Sequence, residues 1–364
     1  MTSLFIKQKA QQYVVLTGMA LFIGLLVGAI DMIFGQGLLL IGDFRSQHWP
    51  LILFLALAGL VIVYLYKRFG GKASKGMGLI FDVGHAREEK IPLVLVPLIM
   101  LTTWMSHLFG GSVGREGVAV QIGATLSHRF ARHIKIPDAS RIFLMTGMAA
   151  GFAGLFQTPL AATFFALEVL TVGELQLIAL YPALIASIVA SFTSHALGLE
   201  KFTVPLKETL SWTPETLIKV ALLGLAFGLA GKLFAVSLSW LKKTVAKVLP
   251  NPYIRISVIG VGLSLVLLTL QLTKVGSYSG LGTNLIDVAF HQGSAQSYDW
   301  ILKLLFTVTT IAAGYKGGEV TPLFSIGASL GVWLAPFFGL PIYLVAALGY
   351  AAVFAGATST LIGP

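Results

Sequence analysis

An all-α, polytopic membrane bundle is the fold class the sequence predicts, and three observations carry it. The chain is 56% hydrophobic and only 11% charged, with a mean hydropathy of +0.86, which is more apolar surface than a soluble core buries. Apolar stretches recur from end to end, several of them near the ~20 residues that span hydrocarbon and others too short or broken by Gly or Pro. The cations flank these stretches instead of forming a stripe, so the net charge of +10 reads as membrane topology and not as a nucleic-acid surface. Residues 1–364 are expected to form a single transmembrane domain.

The elements follow in order. Residues 14–34 make the first span; Lys7 and Lys9 precede it, no small-residue cleavage site does, and further spans come at once, so it reads as a retained helix and not a signal peptide. Residues 51–66 make the second, trailed by Lys67, Arg68, Lys72 and Lys75. With two spans between these basic groups, both lie on the cytoplasmic side. Residues 91–109 and 141–170 follow, the latter containing Pro159, with Arg129, Arg132, Lys135 and Arg141 marking another cytoplasmic connection. Residues 175–198, 216–241, 254–273 and 300–314 complete the apolar series. The chain has no cysteine, hence no disulfide or thiolate metal site, and no metal or cofactor is expected.

The sequence nearly repeats itself. One shift pairs residues 114–126 (GREGVAVQIGATL) with 318–330 (GEVTPLFSIGASL), and nearly the same shift pairs 147–154 (GMAAGFAG) with 349–356 (GYAAVFAG). Two matches in the same order argue for two homologous halves, residues 1–200 and 210–364. The first copy continues through Pro159 to Leu170 while the second stops at Pro364, so the second repeat is expected to be truncated at its C-terminus. Paired, glycine-interrupted segments in corresponding places point to a transporter site at the repeat interface near the midplane.

Three glycine-rich turns lead into expected helix starts: Gly76-Met77-Gly78-Leu79, Gly114-Arg115-Glu116-Gly117-Val118, and Gly317-Gly318-Glu319-Val320-Thr321-Pro322, where Pro322 suits an early helical position. Such a start aims backbone N–H groups and the positive end of the helix dipole into a cavity and binds anions without any cation. Glu116 is the most telling residue, because an ionisable group at membrane depth costs about 2.5–3.5 kcal/mol even on lenient insertion scales and so marks an ion or proton path. A carboxylate and an anion want the same electropositive pocket, so Glu116 can occupy it and be released by protonation; the blander role is to complement its own helix dipole. Glu319 stands nearly at the equivalent place of the second copy, its alternative being an ion pair with Lys316. Thr321 offers a hydroxyl to an anion or bonds back to a helix carbonyl. Glu168 reads as structural pairing. Met77, a thioether between two glycines, stands where a donor would be expected and donates nothing.

At these residues the chain resembles the CLC family of anion channels and proton-coupled anion exchangers. Residues 114–123 resemble the family's gating-glutamate motif, residues 156–161 (FQTPLA) the turn before its proton-path helix, residues 280–286 (GLGTNLI) a glycine run of its second half, and residues 317–322 its second-half anion-binding helix start. The resemblance implies an inverted-repeat bundle of tilted and broken helices, a homodimer with one pore in each subunit, and a closing helix, bearing a pore tyrosine, that this chain lacks. Three departures stand out: Met77 where chloride-handling members have serine, Val169 where chloride/proton exchangers have an inner proton glutamate, and Val118 in place of the usual proline. With Glu319 at the second-half start, they are similar to the fluoride branch, whose bacterial members export fluoride in exchange for protons across the cytoplasmic membrane. By that resemblance Glu116 and Glu319 carry gating and proton transfer, and Met77, Gly78, Gly117, Val118, Val320 and Thr321 line the anion path.

Rival readings remain. A chloride/proton exchanger or passive chloride channel is the nearest, against Met77 and Val169. A membrane-embedded hydrolase with Glu116 as general base lacks a His-Glu-x-x-His pair or a Gly-x-Ser-x-Gly elbow. A structural bundle glued by buried glutamates leaves the doubled glycine-rich starts unexplained.

Overall fold

The computed structural model describes residues 2–201, 203–204, 208–211, 213–273 and 275–364, with side chains from residue 9 onward; the side chain of Lys7, read above as a topology marker, lies outside those described. The helices are α1 (Thr2–Gln47), α2 (Leu55–Leu65), α3 (Met77–Gly84), α4 (Leu95–Leu108), α5 (Glu116–Ala131), α6 (Ala139–Phe156), α7 (Pro159–Glu168), α8 (Leu180–Ala196), α9 (Pro214–Val248), α10 (Pro252–Leu272), α11 (Thr283–Asp287), α12 (Asp299–Ala313), α13 (Val320–Phe338) and α14 (Ile342–Thr358). Among the described residues the one strand-like pairing is an antiparallel bridge between Gly114 and Gly318, so the chain is all-α.

Local chemistry explains where these helices begin and end. Prolines at first helical positions start α7, α9 and α10. The hydroxyl of Thr213 accepts the N–H of Thr216 at 3.2 Å, and the amide oxygen of Asn251 accepts that of Tyr253 at 2.9 Å, capping donors that lack intrahelical partners. The stretch 141–170 is not one span: Gln157, at φ 57°, stops α6 in the left-handed region, and its amide donates to the carbonyl of Leu199 at 2.6 Å. A non-glycine residue pays strain there, and the hydrogen bond holds it. Ser359, at the end of α14, has φ 56°; it is the residue that the Gly147/Gly349 shift pairs with Gln157.

By length and composition, seven helical segments among the described residues can cross a membrane. Two of them, α6 and α13, are 83% and 78% buried over their most apolar window, whereas the other five are only 28–39% buried. The first two are therefore central, and the rest leave much of their apolar surface uncovered within the chain. Around them α1 packs on α6 and α8, α9 on α12 and α14, and α2 on α10. The helices α4, α7 and α14 are shorter than a span, as expected of broken helices.

The centre is built on backbone contact. A Cβ placed on Gly123 of α5 would lie 2.0 Å from the carbonyl oxygen of Gly147 on α6, and one on Gly327 of α13 would lie 2.0 Å from that of Gly349 on α14. In lipid, where apolar side chains gain little by leaving the solvent, such close approach of small residues is what holds helices together. At the end of the bundle that carries the second basic group, Lys72 pairs with Glu88 at 2.6 Å and Lys75 with Asp82 at 2.8 Å.

Candidate anion site at the crossing of two helix starts

Each glycine-rich turn named above opens a helix: α3 at Met77, α5 at Glu116 and α13 at Val320. The turns before α5 and α13 cross. Gly114 N–H donates to the Gly318 carbonyl and Gly318 N–H to the Gly114 carbonyl, both at 2.6 Å. Only glycine allows this, since a Cβ on Gly318 would stand 2.8 Å from the nitrogen of Gly117. The crossing brings the N-termini of α5 and α13 together, and their first residues, Glu116 and Val320, stand at the same shift as the bridged glycines.

Glu116 is fully buried. Its carboxylate does not stay over its own helix: Oε2 accepts the backbone N–H of Thr321 at 3.0 Å and that of Arg115 at 3.1 Å, and Oε1 accepts the Thr321 hydroxyl. Arg115 Nε lies 3.4 Å from Oε1. A negative group thus straddles the starts of two helices, surrounded by donors and one guanidinium, the environment that holds an anion. The carboxylate fills it.

The other expected residues divide. Val320 and Thr321 are buried at the start of α13, and Gly117 abuts the crossing, with an added Cβ 3.4 Å from the Cα of Gly318. Val118 is fully buried, but its N–H bonds back to the carbonyl of Arg115 at 3.1 Å and is not left for a ligand. Met77, partly buried, packs against the main core, while Gly78 beside it is exposed and faces open space. Their helix start meets α5 at Gln121, whose Oε1 would lie 3.3 Å from a Cβ on Gly76. Glu319 corresponds to Arg115, one position before the counterpart of Glu116. Its side chain is half-exposed, and its ion-pair partner is Lys242 on α9, at 3.6 Å, rather than Lys316. The Lys316 ammonium instead sits 4.2 Å over the ring of Tyr66. Glu168 accepts the N–H groups of Leu361, Ile362 and Gly363 at 3.0 to 3.2 Å, in keeping with structural pairing.

A cavity of about 900 Å³ reaches the site from the end of the bundle where α1 finishes, with Arg115, Thr321, Phe156 and Tyr350 among its lining residues. The Tyr350 ring stacks on Phe324 at 3.9 Å. Sequence reasoning missed Arg115, Tyr350 and two further ionisable groups, Lys303 and Asp31, both fully buried inside apolar stretches. A charge inside an apolar run was the available signal. The carboxylate of Asp31 lies against Gly154 of α6, where an added Cβ would be 2.4 Å from Oδ2.

The sequence pattern of the family described as "Voltage gated chloride channel" matches residues 58–364. Among curated proteins, the "Chloride/fluoride channel protein" of Pseudomonas syringae pv. tomato is 36% identical over 342 residues, 93% of this chain and 75% of that one. The "Voltage-gated ClC-type chloride channel ClcB" of Salmonella typhimurium is 25% identical over 260 residues, 71% of this chain and 59% of that one. Among solved structures, a CLC-type fluoride/proton antiporter superposes with a TM-score of 0.93 at 50% identity, covering 96% of this chain and 88% of that one. A slow cyanobacterial chloride/proton antiporter shares the fold, with a TM-score of 0.74 at 20% identity over 96% of this chain and 93% of that one.

Proposed function

The chain belongs to the voltage-gated chloride channel family, and from this premise we propose that it exports fluoride in exchange for protons along an intramembrane path gated by Glu116. The observation that carries the reading is the Glu116 carboxylate lying across the start of α13, bonded to the N–H and hydroxyl of Thr321. An anion and that carboxylate compete for one set of donors. When a proton binds a Glu116 oxygen, the side chain loses its charge and its claim on the pocket, and an anion takes the Thr321 donors; when the anion leaves, the carboxylate gives up the proton and returns. For export, the proton reaches Glu116 from outside and is given up toward the inside, whereas the anion enters from inside and leaves outside, so the two move in opposite directions through one site.

Fluoride is small and strongly hydrated, so close, unyielding donors must replace its water. The fluoride/proton antiporter at 50% identity and the chloride/fluoride channel protein support this anion. In the same reading Glu319, with Lys242 beside it, carries the proton on the second half, and Met77 and Gly78 line the path at the start of α3. Residues 1–200 and 210–364 act as two repeats, a view supported by the paired starts of α5 and α13 and the matched left-handed stops at Gln157 and Ser359. The chain works as a homodimer in a bacterial cytoplasmic membrane, with its basic connections inside. Exchange makes and breaks no covalent bond other than to the proton, so the protein is a transporter and not an enzyme.

Purified protein in liposomes, followed with fluoride and pH electrodes, tests the proposal. Fluoride efflux is expected to drive proton uptake at a fixed ratio; fluoride movement without protons makes it a channel, and no movement of either rejects it. The alternative within the family, a chloride exchanger or channel, is tested at Met77. Met77→Ser restores a hydroxyl donor, and a hydrogen bond to a charged group is worth about 1.5–3 kcal/mol. The variant is expected to raise chloride passage relative to fluoride about tenfold, and an unchanged ratio removes Met77 from selectivity.

A further inference from the structure

We infer that the seam between α10 and α12 binds one anionic phospholipid, with an acyl chain lying in the seam and the phosphate at Arg255. The site is remote from Glu116 and stands whichever ion the protein moves. A groove of about 340 Å³ follows the seam, lined by Ile259, Gly262 and Val266 of α10 and by Leu305 and Thr309 of α12. Gly262 keeps it open, since a Cβ there would meet no atom within 4 Å. Spread over the ~10 Å of helix from Ile259 to Val266, that volume takes a hydrocarbon chain and is too narrow for a helix of another protein, which is about 10 Å across. Arg255, Ile259, Gly262 and Val266 recur at helical spacing and share one face of α10. From Arg255 to Val266 the rise is about 16 Å, close to half of the ~30 Å hydrocarbon core, which is the depth of one leaflet.

The charge stands at one end of this groove. Arg255 is partly buried, and its Nε donates to the carbonyl of Ala313, the last residue of α12, at 3.4 Å, so both walls converge on the guanidinium. Among the described residues no carboxylate pairs with it. Only residues 249–251 separate the end of α9 from the start of α10, which brings the exposed Lys243 and Lys247 to the same edge, and the sequence holds no Asp or Glu between Glu215 and Asp287. Lys242 is offset by Glu319. Lys67, of the second basic group, lies 5.5 Å over the ring of Tyr253, so this edge belongs to the basic end of the bundle. Trp240 of α9, 63% exposed, suits the headgroup level. Cations beside a groove between membrane helices recognise anionic headgroups. A zwitterionic lipid would bring its own ammonium against Arg255, so the site discriminates by net headgroup charge.

Detergent-purified protein, titrated with phosphatidylglycerol or phosphatidylcholine of the same acyl chains and weighed by native mass spectrometry, tests the site. It is expected to keep one phosphatidylglycerol per chain at concentrations where phosphatidylcholine has left. Arg255→Gln should weaken phosphatidylglycerol about fivefold, the worth of one cation at a membrane surface, and Arg255→Lys should retain most of the binding. Gly262→Trp, which fills the groove and leaves every charge in place, should weaken phosphatidylglycerol at least as far. If Arg255→Gln fails to fold, Gly262→Trp decides. Equal retention of the two lipids overturns the site, as does binding that Gly262→Trp leaves unchanged. Inorganic phosphate that raises the melting temperature as far as phosphatidylglycerol does would mean a simple anion site and overturns the lipid.

Discussion

Replacing Glu116 by glutamine is expected to reduce proton transport to background while anions still pass. Glutamine has nearly the shape of the protonated acid, but it can neither release nor accept a proton in this pH range. It also competes poorly for the pocket. The donors around Glu116, two backbone N–H groups and the Thr321 hydroxyl, are matched to a charged acceptor with two oxygens, and an amide offers one oxygen and brings two N–H groups of its own. Hydrogen bonds to charged groups are worth about 1.5–3 kcal/mol against about 1 for neutral ones, so the balance between side chain and anion tips toward the anion. Measured with paired fluoride and pH electrodes, the variant should show fluoride efflux without proton uptake. Proton uptake at the wild-type ratio would falsify the role given to this carboxylate.

Gly123→Ala is the second large effect, and it strikes the fold. The added methyl would stand 2.0 Å from the Gly147 carbonyl oxygen and 2.9 Å from its carbon. Both atoms are backbone, so no side chain can rotate away, and α5 and α6 must separate. Overpacking a core typically costs about 1–3 kcal/mol, and a clash with helix backbone belongs at or above the top of that range. The same argument applies to Gly327→Ala against Gly349. Both variants are expected to lose the monodisperse gel-filtration peak or to melt well below wild type. Gly224→Ala, in α9 with nothing within 4 Å, is the control, expected to be neutral or to gain up to about 1 kcal/mol from helix propensity. Equal behaviour of Gly123→Ala and Gly224→Ala would mean the crossing has slack.

The fold class was legible because membrane helices announce themselves by apolar length and by the placement of cations, properties that need no partner. The three helix starts were legible for a similar reason, since glycine turns and an early proline act locally. What escaped was register and pairing between distant parts of the chain. Thr321 bonds Glu116 over 205 positions of chain, and nothing local says that they meet. Glu319 aligned loosely with Glu116, yet a one-residue offset at a helix start turns a side chain to a different neighbour, which here is Lys242. Lys303 and Asp31 vanished into the average hydropathy of their stretches, although a single charge among apolar residues carries more information than the mean that hides it. Val118 was expected beside the anion from its place in a motif; whether an N–H stays free depends on the pitch of the first turn, and that N–H closes on Arg115.

The reciprocal bonds between Gly114 and Gly318 have a mechanical consequence. Tilting either helix start would rupture both links together, so this junction acts as a rivet and not as a pivot. On the proposed mechanism, whatever opens and shuts here is light. Reorienting a few carboxyl atoms about the single bonds of Glu116 takes far less time than dragging packed helices past each other, and the scaffold on either side can stay at rest while ions trade places.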